Sequence, residues 1–172
     1  MNNALTLLLL SVSVFSYSQN KQALNFSEGL LVTAQLSDGM LIHTSSPDLI
    51  NGYATIYSND YRILPLFIEI PRVFEQSNRT FQNFVEKNSQ YYDATVINSD
   101  YFEFHSSIDE VAIFRARNHQ DFKYIIFIHK KGGFGAGIIK IETKWFNTDL
   151  DVEQIRELNS ILKTIEIIHD KP

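Results

Sequence analysis

The sequence predicts an α+β domain, an antiparallel β-sheet with two main helices packed on it. Three observations carry this. Most of the chain alternates apolar and polar residues with the period of two that turns one face of a strand toward a core. Two windows, one beginning near Thr80 and one near Thr148, switch to the period of an amphipathic helix. From Thr95 to Trp145 only short turn-forming stretches separate the strand-like runs, and these are too short for the crossovers that a parallel sheet requires.

The chain opens on an apolar run, Ala4 to Leu10, broken only by Thr6 and continued by Val12, Val14 and Phe15 to small residues at Ser16 and Ser18. That is an h-region followed by a small-x-small cleavage site, and an apolar stretch of about 15 residues is short of the roughly 20 that span a bilayer. Residues 1–18 are therefore expected to be a secretory signal peptide and 19–172 a single globular domain, exported to the periplasm or the extracellular space. Leu30, Val32, Ala34 and Leu36 mark the first clear strand, and Ser37-Asp38-Gly39 leads into Met40 to Ile42. Asp-Gly between such runs predicts a hairpin, because both residues tolerate positive φ. Ala54 to Tyr57 reads as a short strand, Ser58-Asn59-Asp60 as a turn, and Ile63 to Ile70 as a strand that Pro65 and Pro71 place at an edge or shorten.

Ser77 or Asn78 offers an N-cap for the first helix, whose inner face is Phe81, Phe84, Val85 and Asn88, with Tyr91 or Tyr92 close by. Strand-like runs follow at Thr95 to Asn98, Tyr101 to His105, Glu110 to Arg117, Tyr124 to His129 and Ile138 to Trp145. Thr148 or Asp149 starts the second helix, with Asp151 and Glu153 at its positive end and a stripe of Val152, Ile155, Leu158, Leu162 and Ile165.

This order of elements, the helix Thr80 to Gln90 leading into the strand around Val96, the strand pairs around Val111 and Ile126, and the ending Ile155 to Ile167 resemble the PsbP-like fold, which includes small exported bacterial domains of the DcrB-like kind. The stretch Leu158-Asn159-Ser160-Ile161-Leu162-Lys163-Thr164-Ile165 is similar to the final helix of such domains. The resemblance spans most of the chain after the signal. It implies a non-enzymatic accessory or interaction module and supplies no functional residues.

Composition narrows the chemistry. Hydrophobic residues make up 44% and charged residues 20%, which excludes disordered and low-complexity classes. The net charge of −5 argues against non-specific nucleic-acid binding, and no nucleic-acid partner is expected. The absence of cysteine excludes disulfides, thiol nucleophiles and zinc-thiolate sites. Lys130-Lys131-Gly132-Gly133-Phe134-Gly135-Ala136-Gly137 invites a phosphate-loop reading but fails it. A dinucleotide fingerprint begun at Gly133 needs glycine where Ile138 stands, and the run after the loop is strand-like, not helical. It reads as a hairpin loop whose Lys130, Lys131 and exposed Phe134 could touch an anion or a partner.

His43, His105, His119, His129 and His169 are scattered, and neither Glu103-x-His105 nor His119-x-Asp121 brings enough ligands for a metal. No serine lies in a nucleophile elbow. Asp109-Glu110 reads as a turn and Asp149-x-Asp151 as helix-start chemistry. No catalytic residue, metal or cofactor is assigned. Aromatic residues, 13% of the chain, point instead to contact surfaces. Tyr53, Tyr57 and Tyr61 surround a turn; Tyr101 lies opposite in pleat to Phe102 and Phe104, which enter the core; Arg115 and Arg117 share a strand face suited to an acidic partner. With Lys130, Lys131 and Phe134 these form the candidate interaction surface. The expected role is a soluble, non-enzymatic binding or accessory module for a protein partner or small ligand. The alternatives are a small-ligand carrier whose cleft between helix and sheet is lined by Phe81, Phe84 and Tyr92, and a hydrolase with a triad drawn from distant residues.

Overall fold

The computed structural model describes residues 20–27, 30–44, 53–69, 80–91, 94–131 and 138–169. Within them the chain forms strands β1 (Asn20–Ser27), β2 (Leu30–Leu36), β3 (Leu41–Thr44), β4 (Tyr53–Tyr57) and β5 (Leu66–Glu69), then helix α1 (Phe81–Tyr91). Strands β6 (Ala94–Ile97), β7 (Glu110–Asn118), β8 (Asp121–His129) and β9 (Ile138–Thr143) follow, and helix α2 (Val152–Leu162) precedes β10 (Glu166–His169). The fold is α+β, and strands dominate it. The strands make two antiparallel sheets rather than the single one expected, a three-stranded sheet β1-β2-β10 and a seven-stranded sheet β3-β4-β5-β9-β8-β7-β6. No helix among the described residues is long and apolar enough to cross a membrane.

Alternation along the strands divides the apolar residues between two cores. On one face of the large sheet, Ile56, Ile68, Ile113, Ile126 and Ile141 meet Val32 and Ala34 of β2 and Leu158, Ile161 and Leu162 of α2. On the other, Phe114, Ile125 and Phe127 meet Phe81 and Phe84 of α1. The run Ile125-Ile126-Phe127-Ile128 is buried on both faces, which is why it is continuously apolar. Beyond the reach of α1, the outer face of β3, β4 and β5 leaves Leu41, Tyr53, Tyr57 and Phe67 exposed. Asn88, buried in α1, donates from Nδ2 to Phe84 O at 2.8 Å, so its burial leaves no stranded amide donor on that side.

Several local expectations are corrected. The Asp38-Gly39 turn forms, with Gly39 at φ 83° and Met40 N–H donating to Ser37 O at 3.1 Å. It joins no hairpin, however, because β2 already has β1 and β10 on its two edges; the turn is a corner between sheets. Strand β5 is short, as expected, but lies between β4 and β9 rather than at an edge. Pro65 stands just before its first ladder residue, so the missing N–H costs no ladder bond. The N-cap of α1 is Thr80, whose Oγ1 accepts from Asn83 N–H at 3.3 Å; Ser77, Asn78, Pro71 and Tyr92 lie outside the described residues, as do residues 1–18 and Phe134.

Tyr101 to His105 is not a strand. Asn98 Oδ1 accepts from Asp100 N–H at 3.0 Å and starts a short 3-10 turn, Ser99–Tyr101, closed by Phe102 N–H on Ser99 O. Asn159 of α2 then replaces a strand partner: its amide accepts from Glu103 N–H at 3.0 Å and donates to Tyr101 O at 3.1 Å. The second helix begins at Val152 and is capped by Asp151 in a capping box with Gln154, not by Thr148 or Asp149. Val152 is accordingly 64% exposed, and Ile161 takes its place in the buried stripe. The helix ends at Leu162, and Glu166 to His169 leave it to pair with β2 as a strand that helical periodicity had hidden.

Candidate functional site

At the β6 end of the large sheet, on the side of the main core, an open cleft of about 470 Å³ is lined by β6, the 3-10 turn, Arg115 of β7, Tyr124 of β8, the Asp149-Leu150 segment and Ile155 of α2. The ladder builds its polar wall. Thr95 stands opposite Arg115, and Arg115 opposite Tyr124, so the three side chains form one row across the sheet. After β9 the chain is tied back to β8 by reciprocal bonds between Phe122 and Phe146, at 2.7 and 2.8 Å, which bring Asp149 over that row. Asp149 is available because Asp151, two residues on, caps the helix.

The Asp149 carboxylate collects three donors. Arg115 Nη1 reaches Oδ2 at 2.5 Å, the Tyr124 hydroxyl donates to Oδ1, and Leu150 N–H donates to Oδ1 at 3.1 Å. Partial burial works against its charge, but the Tyr124 hydroxyl, the guanidinium and the backbone N–H outweigh it and hold the carboxyl below its ordinary range. Burial first, and then the adjoining carboxylate, push the Tyr124 phenol up to about 12. The facing wall is apolar: Ile97, Phe102, Leu150 and Ile155. Tyr101, 68% exposed, stands at the rim.

Of the residues singled out from sequence, Tyr101 and Arg115 come together here. Arg117 points its Nε to His119 O at 3.0 Å, and with Arg115 it lies over the ring of Phe122, their guanidinium carbons 5.7 and 5.4 Å from its centroid. Arg115 thus finds its acidic partner within the chain. Tyr53 and Tyr57 lie far along the sheet on the outer face, Tyr53 edge-on to Phe67, whereas Tyr61 is half-buried against the main core. Lys130 Nζ donates to Ile167 O at 3.0 Å, and Lys131 pairs with Glu110 at 3.1 Å. Tyr124 and Asp149 were missed. The signal for Asp149 was the Asp151-x-x-Gln154 box, which supplies the helix cap and leaves the earlier aspartate without that duty.

The other polar clusters are structural. Ser107 N–H donates to His105 Nδ1 at 3.1 Å with its hydroxyl 3.0 Å from the same nitrogen, so this contact closes a turn and commits the lone pair a general base would need. His129 Nδ1 lies 2.7 Å from Glu110 Oε2, and its ring stacks on Phe81. Burial opposes the Glu110 charge, but His129 and Lys131 overcome it and lower its pKa. Among the described residues no group of three or more histidine and acidic side chains converges as a metal site. Comparison of the chain with protein-family models, curated proteins and solved structures finds no match.

Proposed function

We propose that this chain is an exported, non-enzymatic binding or accessory module of the PsbP-like kind, and that it holds its partner in the cleft beside β6. The observation that carries this reading is a polar wall with fixed protons facing an apolar one. A phenol pushed to about 12 and a carboxylate held below its ordinary range exchange no proton near neutral pH, which suits recognition rather than acid–base chemistry. Apolar lining with a few placed polar groups is the usual composition of a binding site. The apolar leader with small residues at Ser16 and Ser18 supports export.

Affinity capture with mild cross-linking from the cell envelope and medium tests it, using the mature-length chain beside its Tyr101→Ala and Arg115→Ala variants. A stoichiometric partner held by the parent chain and lost from the variants is expected. A partner retained equally by all three would remove the cleft from the account. The cleft volume also falls within the range of small-molecule sites, which favours a small-ligand carrier as the second reading. That carrier would use this cleft and not the space under α1, where Phe81 and Phe84 are buried and Phe84 packs edge-on to Phe127 at 4.9 Å.

A further inference from the structure

Among the described residues, strand β6 is the last strand of the seven-stranded sheet and pairs with β7 alone. Its outer edge can be read from the β7–β8 hairpin. The two-residue connection His119-Gln120, with His119 at φ 55°, makes Asn118 and Asp121 a hydrogen-bonded pair. Peptide groups then alternate along β7: those of Phe114 and Ala116 face β8, and those of Ile113 and Arg115 face β6. The bonds from Phe122 to Phe146, directed away from β7, fit the same alternation. By register, Thr95 and Ile97 spend their peptide groups on Arg115 and Ile113. The N–H and C=O of Val96 therefore point away from the sheet, and no described group bonds them.

Among the described residues the edge carries one of the usual guards, its shortness. Ala94-Thr95-Val96-Ile97 has no lysine, no proline and no inward charge, and only its length of four residues limits pairing. Val96 is 55% exposed. The side chains of Thr95 and Ile97 line the cleft, so a strand laid along β6 would drop alternate side chains into the same space. The lining there suits a large side chain with an apolar body and a polar tip, since Ile97, Phe102, Leu150 and Ile155 are apolar and Arg115 and Asp149 are charged.

We propose that β6 takes up an extended peptide as an added strand, with an aromatic side chain of that peptide seated in the cleft. The inference rests on the cleft being the binding site and names its ligand class. Free N–H and C=O groups on an edge strand match the alternating donors and acceptors of an extended backbone, and the adjoining pocket supplies side-chain selection.

The probe is a displayed library of random linear peptides selected on the mature-length chain, the best binder being made synthetically and as single N-methyl analogues. Selected peptides should share an aromatic residue. N-methylation at the amides facing β6 should weaken binding at least tenfold, and N-methylation at the intervening amides should not. Hydrogen exchange at Val96 N–H should slow at least tenfold when the peptide is bound. Val96→Pro, which removes an outward donor and no bond to β7, should lose at least tenfold in affinity; the N-methyl series on the parent chain decides the matter if that variant does not fold. Binding that is weakened by Tyr101→Ala but indifferent to N-methylation and to Val96 exchange would overturn strand addition while leaving the cleft as the site. Peptides indifferent to Tyr101→Ala and to N-methylation would overturn both. Failure to select any peptide, or protection of Val96 by self-association without peptide, would overturn the peptide as occupant.

Discussion

Replacing Tyr124 by phenylalanine should change how stability responds to alkali. In the native state burial and the Asp149 carboxylate hold the Tyr124 proton until about pH 12, whereas in the unfolded chain the phenol releases it near its ordinary value of 10.0. Between those two values the unfolded state binds fewer protons than the native state, so stability falls as pH rises through that window and is fully present below it. A displacement of about two pH units is worth roughly 2.7 kcal/mol. Asp149 is half-exposed, which screens its share, and about 2 kcal/mol is the expected loss. Below pH 10 the parent chain should exceed Tyr124→Phe by about 1 kcal/mol, the net worth of one hydrogen bond to a partly solvated charge. Urea unfolding of both proteins at pH 8, 10, 11 and 12 gives the difference directly, because lysines and the other tyrosines titrate alike in each. The advantage should shrink and then reverse with rising pH. Parallel curves would refute the claim that Tyr124 donates to Asp149.

Phe127, fully buried and edge-on to both Phe84 and Phe114, should cost about 4 kcal/mol when changed to alanine, read as a lower urea midpoint with an unchanged slope. Glu142 lies between Lys123 and Lys140; burial opposes its charge, but both lysines overcome it and lower its pKa. Its contribution is present above the ordinary carboxylate value and lost as pH falls through the lowered native one. Glu142→Gln should therefore cost about 1 to 2 kcal/mol at neutral pH and flatten the acid limb of the stability curve. An acid limb of unchanged steepness would contradict it.

What was legible in the sequence was local or periodic. The Asp38-Gly39 turn needs a positive φ, and glycine announces it; a Cβ there would stand 2.9 Å from Asp60 Oδ2. The turn chemistry carries no statement about which strand lies next to which, so the corner looked like a hairpin. Likewise Phe102 is buried and Tyr101 exposed, as alternation demanded, although the backbone hydrogen bonds of the segment go to Ser99 and Asn159 instead of a ladder. Strand β10 escaped because Ile165 continues the helical stripe of Leu158 and Leu162; what ends the helix is long-range, Thr164 Oγ1 bonding Gln35 O at 3.1 Å and Glu166 pairing with Thr33.

The cleft illustrates the same limit at the level of function. Each of its walls exists for a reason that is unremarkable in isolation. Asn98 stops β6 by seeding a 3-10 turn, Asn159 pins the chain that leaves that turn, and Asp151 takes over the helix cap. Their joint effect is a short edge strand, an exposed tyrosine beside it and an aspartate released to meet Arg115 and Tyr124. The first two elements leave the outward peptide groups of Val96 uncovered among the described residues; the third gives the neighbouring space a charged end. A core has to be closed by its own chain, whereas this edge is closed on one side only, and the chemistry it leaves open is that of another strand.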